Sequence, residues 1–412
     1  MTAATPPKGQ GPLARREARL AWGLMLPTLL SVMLVVVLPL LAIFWISAKP
    51  VELADLRPPA PVVREDLRDA DEAVATLRYR VRNSSQGEPI RDVRLTDTIP
   101  AGVVVESLPE GCILDGTALA CALGDLEGGG RITLEIPVTL GGDAAALEDA
   151  IEDGTVPSIT GEAENILTNL EFTFENFRAV FDAREFWTVI FATVFYTVVG
   201  TCGALIVGLF AALLLNKSFR GQGILRGLYL FPYVAPVIAV AFSWVILFDP
   251  FSGSVNALLI QMGVTESSIN FFGERPLALV MVTVFEIWRY FPLSFLFILA
   301  RMQSIDHDMY EAADVDGASP FQKFRYLSLP MLMGILSVLF LLRFIWTFNK
   351  FDDIFLLTGG NAGTRTLTVN VYEQAFALSN IGAGAAVAVV ILLCLLIFSW
   401  AFFRFISREE GL

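Results

Sequence analysis

Tyr310-Glu311-Ala312-Ala313-Asp314-Val315-Asp316-Gly317, continuing to Leu327-Ser328-Leu329-Pro330, separates two long apolar runs, Leu277–Ala300 and Met331–Phe348. A helix needs about 20 apolar residues to cross a bilayer, so this short polar stretch is a loop between two membrane spans. Ala312, Ala313 and Gly317 give its helix little side-chain bulk and leave room for another surface to pack close. Glu311 and Asp314 read as lying near the start of that helix, where the helix dipole favours negative charge. Gly317 lets the chain turn. Pro330 falls where the first turn of the following helix tolerates it.

Outward from this loop the chain holds six such runs: Trp22–Ile46, Phe186–Leu215, Ile224–Phe248, Leu277–Ala300, Met331–Phe348 and Gly384–Ile406. The composition agrees. The chain is 55% apolar and 17% charged, against roughly 25% charged in soluble domains. The first run is too long for a signal-peptide core and reads as an uncleaved anchor. Lys and Arg in short flanking segments mark the cytoplasmic side. Arg15, Arg16 and Arg19 precede the first span; Lys217, Arg220 and Arg226 surround the second turn. Arg301, Lys323 and Arg325 lie between the fourth and fifth spans, and Arg404 and Arg408 follow the sixth. Six spans put all four groups on one side, with both termini cytoplasmic.

The net charge of −13 is unevenly placed. Between Lys49 and Glu185 there are 27 acidic and 12 basic residues, so the rest of the chain is nearly neutral. This acidity argues against nucleic acid as a partner, since phosphate binding needs a basic face. From about 72 to 141 the pattern alternates with period two, in Ala73–Val81, Val93–Ile99 and Arg131–Ile136, with turn chemistry at Asn83-Ser84-Ser85-Gln86-Gly87 and Pro100-Ala101-Gly102. That spacing predicts a small β-sandwich. Cys112 and Cys121 flank a turn-like Leu-Asp-Gly and suit a hairpin disulfide in an oxidising compartment; two free thiols are the alternative. Residues 142–166 read as an acidic linker, and 172–187 as a short interfacial helix with aromatic residues at headgroup level. The fold class is therefore an all-α polytopic membrane protein of about six transmembrane helices carrying an inserted all-β sandwich. Its divisions are 1–48, an extracytoplasmic insertion at 49–171, and a core at 172–412.

The loop motif reaches further. Glu-Ala-Ala, three residues, Gly, nine residues, a large aliphatic, one residue, then Leu-Pro resembles the EAA loop of ABC importer permeases. Glu311, Ala312, Ala313, Asp314, Gly317, Leu327, Leu329 and Pro330 carry the resemblance within a cytoplasmic loop at 302–330. Asn216–Gly221 and Phe231–Pro236 are similar to the carbohydrate branch of that family. Phe351–Gly360 is similar to the larger maltose permease subunit, although Asn361-Ala362-Gly363 follows where the family usually has a Pro. The stretch Leu95–Val138 resembles an immunoglobulin-like repeat of bacterial surface proteins. The resemblance implies a multi-pass inner-membrane permease for a sugar. Its implied partners are a second permease, a cytoplasmic ABC ATPase dimer that uses ATP and Mg, and an extracytoplasmic solute-binding protein. It implies a transporter and not an enzyme, with no cofactor or metal bound by this chain. A polyol or glycerol phosphate is the alternative cargo. A membrane-anchored surface-binding module is the rival class, which leaves the loop motif unexplained.

No Gly-Lys pair occurs in the chain, so it has no phosphate-binding P-loop. The single histidine, His307, precedes the motif. Ionisable residues inside spans are functional candidates. Glu286 and Arg289 stand one turn apart in the fourth span, and Arg343 lies in the fifth. Glu286 is expected to pair with Arg289 or Arg343. Trp288, Tyr290, Trp346 and Asn349 supply the flat faces and hydrogen-bonding groups a sugar pathway needs.

Overall fold

A computed structural model describes residues 12–69, 74–141, 156–182 and 184–405. The expected linker at 142–155, the first expected strand residues Glu72 and Ala73, and Arg408 lie outside them. The chain divides into two units. One comprises the chain through Ser47, Glu175–Leu378 and Ala383 onward; the other comprises Ala48–Phe174 with Ser379–Gly382.

In the helical unit, Pro12–Val32 and Leu38–Ser47 join through a π-helical turn into one long helix, α1. Then come α2 (Glu175–Asp182), α3 (Phe186–Leu215), α4 (Gln222–Tyr229), α5 (Val237–Leu247), α6 (Leu277–Gln303), α7 (His307–Val315), α8 (Leu329–Phe348), α9 (Asp352–Thr358) and α10 (Ile381–Phe405). Among the described residues, five helices are long and apolar enough to span a membrane, and a bent pair makes a sixth candidate. The expected continuous third span is corrected here: its two halves bend by 89°. Pro232 and Pro236 explain the break, since proline withholds an N–H and clashes with the preceding turn. Helix α3 lies at the centre and packs on α6 and α8. At Gly208 an added Cβ would come within 2.7 Å of Ser294 Cβ and 2.9 Å of the Phe295 nitrogen, so only glycine lets these helices approach as they do. None of the apolar window of α1 is buried.

The second unit is a sandwich of two four-stranded antiparallel sheets. The strands are β1 (Pro61–Arg68), β2 (Ala75–Asn83), β3 (Ile90–Thr98), β4 (Val103–Val105), β5 (Cys112–Asp115), β6 (Ala118–Leu126), β7 (Arg131–Leu140) and β8 (Ser158–Ala163). The sheet orders are β1-β2-β7-β4 and β5-β6-β3-β8. Alternate residues meet between the sheets: Leu77, Tyr79, Leu95 and Ile136 are fully buried. Cys112 and Cys121 stand directly opposite in the β5–β6 register and form a disulfide. The expected limits of 72–141 are too narrow. β1 begins eleven residues earlier, and Ser158–Ala163, expected as linker, pairs with β3. Both are edge strands, where one open side permits a more polar sequence. The base of this unit is tied together by its own ends. Lys49 Nζ donates to the Asn169 carbonyl and side-chain oxygens (both 2.6 Å), and Gly382 N–H donates to the Val51 carbonyl (2.8 Å).

Candidate functional site

Glu286 is the centre of a buried polar cluster in the helical unit. Its carboxylate is fully buried. It accepts hydrogen bonds from Arg343 Nη2 at 2.7 Å, Thr347 Oγ1 at 2.9 Å and Tyr196 Oη at 3.0 Å. Arg343 and Thr347 lie one turn apart on α8 and share the face that meets α6. Of the two expected partners, Arg343 is therefore the one that binds. Arg289 has other work. It donates to the carbonyls of Pro232 (3.2 Å) and Ala235 (3.1 Å), oxygens freed where the third span breaks. Its Nε lies 4.0 Å from Asp353, a fully buried carboxylate also 3.9 Å from Lys350 Nζ.

Three cations gather on one aromatic ring. Lys350 Nζ lies 4.4 Å, Arg343 Cζ 4.7 Å and Arg289 Cζ 5.6 Å from the centroid of Tyr290, within the range of cation–π attraction. Tyr233 meets the same ring edge-on at 6.0 Å. These groups, with Glu286, Thr347 and the half-exposed Trp346, line a cleft of about 450 Å³. Glu286, Arg289, Tyr290, Arg343 and Trp346 thus come together as a group. Two expected members do not line the cleft. Trp288 packs among Trp244 and Phe285 in the core. Asn349 is exposed and donates to the Ile345 carbonyl at the end of α8 (2.9 Å). Sequence reading missed Tyr233, Thr347 and Lys350. Thr347 carried a signal, standing four residues from Arg343; Lys350 carried another, beside Asp352 and Asp353.

The loop after α6 has a different construction. Asp306 caps α7 through the Asp308 N–H (3.1 Å). The early acids are therefore Asp306 and Asp308, and the expectation for Glu311 and Asp314 is corrected: Glu311 is midway along α7, and Asp314 is in its last turn, where Lys323 offsets it at 2.5 Å. The helix ends in a Schellman arrangement, with Gly317 N–H donating to Asp314 and Ala318 N–H to Ala313. Gly317 sits at φ +74°, and space beside it is open. Ala312, Ala313, Gly317, Lys323, Tyr326 and Leu327 line a depression of about 430 Å³. Leu329 and Pro330 begin α8.

Polar groups thus converge on an open cleft among membrane-length helices. Residues 204–409 match the family model described as binding-protein-dependent transport system inner membrane component. The chain is 37% identical over 227 residues to the inner membrane ABC transporter permease protein YcjO of Escherichia coli, covering 54% of this chain and 76% of that one. It is 34% identical to the trehalose/maltose transport system permease protein MalF of Thermococcus litoralis, covering 56% and 77%. It is 32% identical to the sulfoquinovosyl glycerol transport system permease protein SmoG of Agrobacterium fabrum, covering 58% and 77%. A solved bacterial ABC transporter for import of the acidic polysaccharide alginate shares the fold, with a TM-score of 0.53 at 20% identity over 58% of this chain and 86% of that one. The chain belongs to the family of binding-protein-dependent transport system inner membrane components: it is a multi-pass ABC importer permease of the inner membrane. The anchored-module class is thereby set aside.

Proposed function

We propose that this chain forms, with a second homologous permease, the pathway for a sugar delivered by an extracytoplasmic solute-binding protein. The observation that carries this reading is the cleft itself. Tyr233, Tyr290 and Trp346 offer flat faces, and ion-paired Glu286 and Arg343 offer polar groups, within a helical membrane unit. Both termini face the cytoplasm and the sandwich faces outside, in keeping with the Lys and Arg placement and with a disulfide in the sandwich. ATP hydrolysis, with Mg, belongs to cytoplasmic ATPase subunits, and this chain performs none. The exposed face of α7 around Ala312, Ala313 and Gly317 receives the ATPase, and its motion passes through Leu327, Leu329 and Pro330 into α8. The apolar surface of α1 faces lipid or the second permease.

A phosphate-bearing cargo, glycerol phosphate of the two alternatives to a sugar (the other being a neutral polyol), is the second reading. The three cations around Tyr290 favour it, while Glu286, Asp352 and Asp353 beside them oppose it. Uptake by proteoliposomes holding the purified assembly, with ATP on the ATPase side, tests both. ATP-dependent uptake of a neutral sugar, reduced in Trp346→Ala with assembly intact, is the expected result. Uptake of phosphorylated solutes alone supports the second reading, and undiminished uptake in the variant removes Trp346 from the pathway.

A further inference from the structure

The outward face of β1, β2 and β7 carries its charges in rows fixed by the strand register. Val62, Arg82 and Arg131 form one row; Arg64, Arg80 and Thr133 form the next; Asp66, Arg78 and Glu135 form the third. The third row is balanced. Asp66 lies 2.6 Å from Arg78, 2.9 Å from Arg68 and 3.4 Å from Arg80. The first two rows are not. Arg64 stands opposite Arg80, and Arg82 opposite Arg131. Among the described residues, Arg64, Arg82 and Arg131 have no carboxylate within 4.0 Å. Like charges directly opposite destabilise a sheet, and here two such pairs lie side by side around a hollow of about 660 Å³.

We propose that this arginine face binds a short acidic segment of a partner protein. The backbone positions of the four arginines form a staggered grid, Arg64 and Arg80 on β1 and β2 beside Arg82 and Arg131 on β2 and β7, with steps of about 5 Å across the strands and about 7 Å along them. Carboxylates on alternate residues of an extended segment recur at the same ~7 Å, and guanidinium groups hold carboxylates with two parallel hydrogen bonds. The rest of the domain selects the length of the occupant. With 24 acidic and 10 basic residues between Lys49 and Phe174, the grid is a local positive patch in a unit of net negative charge. An extended polyanion or an anionic membrane meets repulsion on all sides, whereas a local cluster of carboxylates meets the patch alone. The rows hold no aromatic residue on which a sugar ring could stack.

The full chain in neutral-lipid nanodiscs, probed with a short peptide of alternating Glu and Thr, tests the proposal. The peptide should bind, weaken as salt rises, and bind about tenfold more weakly to the Arg82→Glu, Arg131→Glu double variant. The single variant Arg131→Glu turns a like pair into an opposite pair, so it should lose affinity while the sandwich keeps or gains thermal stability. Preference for inorganic polyphosphate over the peptide would overturn the proposal in favour of a phosphate polymer. No binding, or binding unchanged in the variants, would also overturn it.

Discussion

At the scale of single residues, the Glu286–Arg343 pair governs the helical unit. Glu286→Gln keeps groups that can bond Tyr196 and Thr347 but leaves Arg343 without a counter-charge. Breaking a buried pair from one side costs about 3–5 kcal/mol. Replacing Arg343 by Met in the same chain should recover most of that loss. A double-mutant cycle of unfolding in detergent measures the coupling, and simple additivity would deny it. The ionisable residues were legible in the sequence because charges stand out in apolar runs. Which arginine binds Glu286 was not, because it depends on the break at Ala235 giving Arg289 two backbone carbonyls. In the sandwich, burial, reinforced by the charge of Asp97, pushes Glu65 up to about 8, against a partly opposing hydrogen bond from Tyr79. The folded domain therefore holds this proton more tightly than the unfolded chain. The stability linked to it is full below the unfolded value near 4.5 and lost as pH rises through about 8. Hydrogen exchange in β2 and β3, corrected for intrinsic rates, should show stronger protection near pH 5 than above pH 8. Glu65→Gln should flatten that dependence, and a profile unchanged by the substitution would refute the assignment.

At the scale of elements, α7 and its glycine stop were readable from the spacing of small residues, and Gly317 adopts the left-handed conformation such a stop requires. Gly317→Leu strains that turn, typically by 1–2 kcal/mol, and fills the open depression. ATP hydrolysis by the assembled transporter should persist while uptake falls by about tenfold, in the usual range of coupling energies. Equal uptake would show that α7 transmits nothing. The third span misled sequence reading because Ile224–Phe248 is apolar throughout, and hydropathy does not report direction. Its two prolines held the information. β1 and β8 were missed because each presents few apolar residues. β8 closes on β3 through Gly161, where an added Cβ would lie 2.5 Å from Ile90. The β5–β6 hairpin carries its own constraint. Replacing Cys112 and Cys121 together by Ser should cost the sandwich about 2–3 kcal/mol, from the size of the closed loop, read as earlier proteolysis of that unit. An unchanged cleavage profile would mean the bond adds nothing.

At the scale of the whole molecule, uneven charge separated an acidic sandwich from a nearly neutral helical unit, and the family match, residues 204–409, includes none of the eight strands. The sandwich lies outside that match, so its arginine face had to be read from strand register, which no hydropathy pattern displays. The helical unit leaves the apolar window of α1 and the small-residue face of α7 without burial inside this chain. Lipid or a second permease covers the first, and the small-residue face suits close approach of another subunit. The most direct test is to recover the tagged full chain from its native membrane in mild detergent and identify by mass spectrometry what accompanies it. An ABC ATPase, a second permease and a solute-binding protein, recovered equally with the Gly317→Leu chain, is the predicted result. Intact, folded chain recovered from those membranes without any ATPase would contradict the account.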